Sequence, residues 1–336
     1  MRAWVLTRYG GPEAAEFRDV PVPEPGPRDV QIRVQAAGLN PVDYKLREGQ
    51  LKVIHRPELP LVMGCDLAGV VEAVGSDVRR FRVGDRVFAR VAKSVYGAFA
   101  EVACVAEDLV ARMPETLDFP EAAGVPLAAL TAMQCLRDEL HAGKGMRLLI
   151  TGGAGGVGTF AIQLAKWLGA EVVTTASPRG EELVRRLGAD EVVDYTRRDA
   201  LESLKDMDGA LDLVGGDSLD LCFGAVKRGG TVVSIAGMPE PETARKDHQA
   251  GRGLEALFWL ASLKLRRQAR AHGVRYRYKF MHPSGEELAE LAALIDQGEL
   301  DVVIDKVFPF GEIDEAFRYL EQGRAKGKVV VDLREG

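Results

Sequence analysis

The sequence predicts an α/β protein of two domains, and three observations carry that prediction. Short β-branched runs broken by turn residues fill the first third of the chain. From about Pro120 onward, strand and helix patterns alternate, and a βαβ rhythm implies a parallel sheet covered by helices. A glycine-rich segment, Gly152-Gly153-Ala154-Gly155-Gly156-Val157-Gly158, joins an apolar strand pattern to a helical one. The length of 336 residues suits two domains at roughly 150 residues each.

The strands expected first are Met1–Leu6, Val30–Ala36, Gly69–Val74 and Arg86–Ala89, and they suggest a small barrel. Pro21, Pro23, Pro25 and Pro27 exclude helix and central strand between them, so that stretch is a loop. Next come a strand at Arg147–Thr151, a helix at Gly156–Leu168 capped by Gly169, a strand at Glu171–Ala176, and a helix at Gly180–Leu187 closed by Gly188. Strands follow at Glu191–Asp194 and Ala210–Val214, a helix at Leu219–Val226, and a strand at Thr231–Ile235. Met238–Gly253, polar and carrying Pro239 and Pro241, is expected to be a mobile loop. Val274, Tyr276, Tyr278 and Phe280 alternate with Arg275, Arg277 and Lys279, which is strand periodicity. Helices at Glu286–Gln297 and Glu312–Gln322 and a strand at Lys328–Leu333 complete the chain.

Composition narrows the function classes. Apolar residues make up 46% and charged residues 28%, an ordinary globular balance. Forty-four cations against fifty acids leave a net charge of -6, which disfavours a basic nucleic-acid binder. Cys65, Cys104, Cys135 and Cys222 form no CxxC pair, so neither a zinc knot nor a disulfide framework is expected, and a reducing compartment is. The N-terminus lacks the apolar core of a signal peptide. No apolar run approaches the roughly 18 residues of a membrane span; the oiliest stretch, Leu254 to Leu265, is broken by Glu255, Ser262 and Lys264. A soluble cytoplasmic protein without a membrane partner is expected.

Gly153, Gly155 and Gly158 fit GxGxxG between a strand and a helix, the context that gives this otherwise weak pattern meaning. Glycine lets the backbone turn tightly and approach a pyrophosphate, and the helix N-terminus offers unpaired N–H groups. Gly153, Gly155, Gly156, Val157 and Gly158 are therefore expected to hold a dinucleotide on a Rossmann-type sheet; a ligand-free glycine turn is the alternative. An NAD site usually carries an acid about 20 residues on. Here the next strand ends Ala176-Ser177-Pro178-Arg179. Ser177 and Arg179 suit a 2′-phosphate, which favours NADPH, against the alternative that Arg179 is a solvated loop charge.

Further segments sharpen this. Ala36–Lys45, Gly64–Val71, Val83–Val87, Leu187–Asp190, His282–Gly285 and Gly327–Val331, with the glycine loop, resemble the zinc-free quinone oxidoreductase (zeta-crystallin-like) and enone oxidoreductase branch of the medium-chain dehydrogenase/reductase superfamily. The resemblance covers essentially the whole chain. It implies a GroES-like β-rich catalytic domain at 1–120 and 281–336, and a Rossmann doubly wound parallel-sheet domain at 121–280. It implies an NADPH cofactor, a small-molecule quinone or enone substrate, and a homodimer. By position it makes Asn40, Thr131, Ser177, Arg179, Tyr195 and Lys328 cofactor contacts, and sets Ala236 and Phe280-Met281 beside the nicotinamide. Zinc relatives place their first ligand in the Gly38–Asp43 loop, a His-Glu pair where Cys65-Asp66 stands, and a third ligand near Gly124–Pro126. These positions lack that ligand set, so no metal is expected.

A metal-free site needs a substrate that accepts hydride readily, and quinones and enones do. The resemblance implies, by family position, Tyr44 and Lys45 as the catalytic candidates, with Asn40 beside them. Tyr44 or Lys45 would donate a proton, polarise the carbonyl or order a water, with cleft packing as the alternative for Tyr44 and a surface charge or salt-bridge partner for Lys45. Asn40 would bond a carbonyl or the cofactor amide, while Asp43 would orient its neighbours. His55, His141, His248, His272 and His282 show no ligand spacing. The second function class is binding. Arg266, Arg267, Arg270, Arg275, Arg277 and Lys279 form a basic cluster with Tyr276 and Tyr278, and some zeta-crystallin-like proteins bind RNA. Nucleic acid is nonetheless disfavoured, because a solvated face is the simpler reading.

Overall fold

β-Branched runs at the start of the chain build one sheet system, and those in the middle build another. The computed structural model describes residues 1–93, 95–197, 201, 203–248 and 251–334. The chain splits into two units, Met1–Leu130 with Pro283–Gly336, and Thr131–His282.

The first unit contains β1 (Arg2–Leu6), β2 (Ala15–Asp19), β3 (Asp29–Leu39), β4 (Leu61–Val62), β5 (Asp66–Val74), β6 (Arg86–Arg90), β7 (Val102–Ala106) and β8 (Val110–Arg112). The C-terminal segment adds β15 (Ile304–Pro309) and β16 (Lys328–Asp332). The expected small barrel is two sheets: a seven-stranded one ordered β15-β16-β3-β5-β6-β8 with β7 also on β3, and a three-stranded one ordered β2-β1-β4. Val30, Ile32, Val34, Leu67, Val87 and Phe99 bury one face of this unit in a shared apolar core, as period-two strands do. After β3, Pro41 opens a short helix, Pro41–Arg47, where its fixed φ is already helical.

The second unit is a parallel sheet. Its strands are β9 (Arg147–Ile150), β10 (Glu171–Ala176), β11 (Glu191–Asp194), β12 (Met207–Asp212), β13 (Val226–Ser234) and β14 (Arg275–Tyr278). Their order is β11-β10-β9-β12-β13-β14, all pairs parallel. In sequence rank this is 3-2-1-4-5-6, the dinucleotide-binding order. Helices Gly156–Trp167, Pro178–Arg186, Asp217–Ala225 and Leu263–His272 connect and cover the strands.

Several sequence expectations change. Met238–Gly253 is not a loop throughout: Pro241 starts a helix, Pro241–Lys246, capped by Glu240, and Arg252 begins another, Arg252–Ala261. Gln249 and Ala250 lie outside the described residues. The strand expected to run to Val214 stops at Asp212, whose carboxylate draws in the amides of Val214 and Gly215. The alternation expected from Val274 to Phe280 shortens to β14, where Tyr276 and Arg277 are both buried. Helices Leu263–His272 and Pro241–Lys246 both pack against this strand, so burial does not follow a period of two.

Candidate functional site

The glycine loop leaves β9 and enters helix Gly156–Trp167. Gly152 makes the left-handed turn, with φ +66°. A Cβ on Gly153 would stand 2.1 Å from Thr174 Oγ1, and one on Gly158 would stand 2.4 Å from the Gly152 carbonyl. Close packing therefore demands glycine at both positions. Gly155 is different: its nearest neighbour would be the Gly152 carbonyl at 3.4 Å. Gly155 caps the helix, and Gly156 and Val157 form its first turn, so backbone N–H groups there have no intrahelical acceptor. This cradle fits a pyrophosphate. Gly153 lies on the loop, Gly155 caps the helix and Gly158 falls in its first turn, while the sequence pattern passed over Gly152 as the residue with positive φ.

β10 ends at Ala176. Ser177, half-buried, caps helix Pro178–Arg186, and Arg179 is exposed in its first turn. Tyr195 is exposed just past β11. A carboxylate that the sequence reading did not weigh stands close by. Asp194 is the register partner of Ala176, and its Oδ1 accepts from Thr196 N at 2.9 Å and Thr196 Oγ1 at 2.8 Å.

At the carboxyl ends of β9, β12 and β13 lies a hub that sequence reasoning missed. Asp212, fully buried, accepts from Thr151 Oγ1 at 3.1 Å, Gly215 N at 3.0 Å and Ser234 Oγ at 2.7 Å. Ser234 Oγ in turn accepts from the amides of Ala236 at 3.2 Å and Gly237 at 2.8 Å. The fold of the loop around Ala236 is thus fixed from one carboxylate. Its only sequence signal was an acid ending the apolar run Ala210-Leu211 just before Gly215-Gly216.

Phe280 is held by its neighbours on the chain segment after helix Pro241–Lys246. Its amide donates to Asp247 Oδ2 at 3.0 Å, and its ring lies 4.8 Å from that of His248. Asp247 belongs to a buried ionic network. Arg277, fully buried, reaches Asp247 at 2.7 Å, Glu139 at 3.1 Å and Glu240 at 3.2 Å, and Lys279 joins Glu139 at 3.4 Å. Burial alone would lower the Arg277 pKa, but the bonds to Asp247 and Glu139 outweigh it and hold the guanidinium above its ordinary range. Arg277 and Lys279 are therefore not part of a surface patch. Thr131, also in this unit, is buried on helix Pro126–Gln134.

Asn40, Tyr44, Lys45 and Lys328 belong to the first unit. The amide of Asn40 donates to Asp43 Oδ2 at 2.8 Å, closing the helix cap. Its side chain is committed inward: Nδ2 donates to Asp66 Oδ2 at 2.9 Å and to Gly38 O at 3.3 Å, while Oδ1 accepts from Lys328 Nζ. Lys328, nine-tenths buried, also donates to Leu39 O at 3.0 Å and lies 3.8 Å from Asp66. Burial lowers the Lys328 pKa against the pull of Asp66 and Asp43. It raises that of Asp66, against Lys328, and pushes Asp43 up to about 7, against the Asn40 amide. The Cys65 thiol donates to Asp43 Oδ1 at 3.3 Å, and burial holds it well above the ordinary thiol range. Tyr44 is half-buried; burial, then Glu321 and Glu48, raise its phenol. Lys45 is half-buried and makes no ion pair among the described residues.

Asp43, Cys65 and Asp66 do not suit zinc. The Cys65 thiol and Asp43 are bonded to each other, and Lys328 Nζ stands 3.8 Å from Asp66, an arrangement unlike a tetrahedral ligand set. Among the described residues no group of His, Cys, Asp and Glu is arranged to hold a metal ion.

Known proteins share this architecture. A family model described as an alcohol dehydrogenase GroES-like domain matches residues 26–115, and one described as a zinc-binding dehydrogenase matches residues 187–331. The mouse mitochondrial NAD(P)H oxidoreductase RTN4IP1 is 37% identical over 99% of this chain and 89% of its own length. The chain belongs to the medium-chain dehydrogenase/reductase family. Within it, a chloroplastic NADPH-dependent alkenal/one oxidoreductase of Arabidopsis thaliana is 38% identical over 98% of this chain and 79% of its own length. The quinone oxidoreductase structure from Coxiella burnetii superposes with a TM-score of 0.85 at 31% identity, covering 99% of both chains. The chain is an oxidoreductase with the GroES-like and parallel-sheet parts of that family.

Proposed function

We propose that this member of the family is an NADPH-dependent reductase of quinones or of α,β-unsaturated carbonyl compounds, working without a metal. The observation that carries the reading is the glycine cradle at the end of β9, open at Gly155, beside a strand whose end offers Ser177 and Arg179 in place of an acid. Asp194, the nearby carboxylate, accepts from Thr196 through Oδ1. The names of the relatives above agree with both substrate classes.

Bound NADPH would supply a hydride to the acceptor. The residues of this chain then have separate tasks. Gly152 to Gly158 admit the pyrophosphate, and Arg179 would pair with the 2′-phosphate. The Asp212–Ser234 hub sets the loop at Ala236, and Asp247 sets Phe280. Tyr44, whose phenol keeps its proton, would donate a hydrogen bond to a developing oxyanion, and Lys45 would supply positive charge. Asn40 acts by holding Lys328 and Asp66 rather than through a free amide. The four thiols are free, which suits a reducing compartment. β14 is an edge strand of the second unit, and pairing with a second copy would continue its sheet across a two-fold axis, giving a dimer by light scattering.

Oxidation of NADPH and NADH in the presence of a panel of quinones and enones tests the assignment. Turnover with NADPH and at least one acceptor class is expected, and Arg179→Ala should cost about 1–3 kcal/mol in NADPH binding while leaving NADH unchanged. Tyr44→Phe and Lys45→Met should slow turnover by roughly 10²–10⁴-fold on enones only if either side chain delivers the proton. NADPH binding with no turnover of any acceptor would overturn the substrate class.

A further inference from the structure

Helix Arg252–Ala261 buries very little of itself. Phe258 points inward, while Leu257 is 45% exposed, Trp259 46% and Leu260 62%. Ala256 and Ala261 are exposed beside them. Exposed large apolar side chains grouped on one short helix mark a contact surface.

What surrounds them is positive. Arg252 opens the helix, and Lys264, Arg266, Arg267 and Arg270 follow on the next one, Leu263–His272. Arg266 lies 5.5 Å over the Trp259 ring, joining the charged and apolar parts directly. Among the described residues none of these five cations has an ion-pair partner, whereas Arg47, Arg112, Arg147, Arg185 and Arg318 elsewhere are paired. The one acid in the stretch, Glu255, is taken by Arg245. In a chain of net charge -6 this is a local reversal of sign.

We propose that this helix pair docks the protein on an anionic phospholipid surface, with Leu257, Trp259 and Leu260 entering the interface and the cations meeting the headgroups. Aliphatic and Trp side chains flanked by Lys and Arg are the composition of interfacial helices, and Trp favours that depth. A second copy of this chain fits poorly, because a two-fold contact would set unpaired cations against unpaired cations with no free acid to answer them. RNA would use the charges but leave Leu257 and Leu260 without a role, since its recognition relies on phosphate contacts and aromatic stacking. The docking is peripheral: no helix among the described residues is long and apolar enough to cross a membrane. The sequence reading expected no membrane partner, and the proposal departs from that expectation. The proposal rests on the reductase reading only for its purpose, since quinones and many enones partition into lipid.

Co-sedimentation with vesicles tests it. Purified protein should bind vesicles of phosphatidylcholine with a minor fraction of phosphatidylglycerol at low salt, bind pure phosphatidylcholine weakly, and release at high salt. Lys264→Gln, Arg267→Gln and Arg270→Gln together should weaken binding on the order of 10²-fold. Leu257→Ser with Leu260→Ser, both at exposed positions, should weaken it comparably while turnover of a water-soluble quinone stays unchanged. A blue shift of Trp emission on vesicles should vanish in Trp259→Phe. Absence of binding to the anionic vesicles at low salt overturns the proposal, as does binding indifferent to both sets of substitutions. So does a dimer, or an RNA complex, that these substitutions abolish while vesicle binding persists. Vesicle binding by a protein without reductase activity would leave the docking standing and remove only the functional reading.

Discussion

The buried polar cluster of the first unit and the ionic network of the second use the same residue types and settle their charges in opposite ways. Arg277 meets three carboxylates in direct contact, and pairing wins over burial. Asp43 meets neutral donors, the Asn40 amide and the Cys65 thiol, and burial wins, carrying its carboxyl to about 7. Lys328 and Asp66 lie between these cases, 3.8 Å apart, each shifted toward its neutral form. Direct contact with opposite charge, rather than the number of polar neighbours, decides whether a buried group stays ionised.

Removing the cation from each site gives the sharpest test of that difference. Arg277→Met strands Glu139, Glu240 and Asp247 around Lys279 alone, and should cost about 3–5 kcal/mol, read by native-state hydrogen exchange in β14. Lys328→Met should cost less, about 1–3 kcal/mol, read in β3 and β16, because Asp66 can relax by taking a proton. Equal losses in the two units would erase the distinction. The third effect is one of pH. The native protein keeps a proton on Asp43 up to about pH 7, while the unfolded chain releases it near its ordinary 3.8. Unfolding therefore releases a proton within that window, so the contribution to stability is full below it, falls as pH rises through it, and stays low above. Asp43→Asn should flatten the slope between those limits in thermal melts, and an unchanged slope would assign it to another group. The smallest effect belongs to Thr243, which bonds both Arg277, at 3.0 Å, and the Tyr278 carbonyl, at 2.8 Å. Thr243→Ala should cost about 1 kcal/mol, because the carboxylates still hold the guanidinium.

The sequence made one half of this comparison far more legible than the other. The parallel sheet and its glycine loop were readable because strand, loop and helix are adjacent along the chain, so spacing reports geometry. Arg277 was misplaced on a solvated strand face because its partners Glu139 and Asp247 lie 138 and 30 residues away. No local pattern reports such pairings. Pro241 was read as a loop signal although proline also suits the first turn of a helix, the position it takes here. In the first unit, the residue types of Asn40, Asp43 and Lys328 were legible through resemblance, but not their inward commitment to one another. Trp259 and Leu260 passed as part of an ordinary oily stretch because exposure is not written in composition.

β16 stands between β15 and β3, so it alone joins β15 to the large sheet, and it brings Lys328 to Asn40 across 288 residues. The second unit is one unbroken stretch of chain, whereas the first is split around it. During synthesis, therefore, the whole of the parallel-sheet unit leaves the ribosome before the strand that completes the other sheet has been made. Until then Asp66 lacks Lys328, and the Ala36–Leu39 stretch of β3 lacks its partner strand. The half of the protein that begins first is the last to acquire its charge balance, and a chain stalled before Lys328 would carry a finished glycine loop in one unit and an unfinished polar cluster in the other.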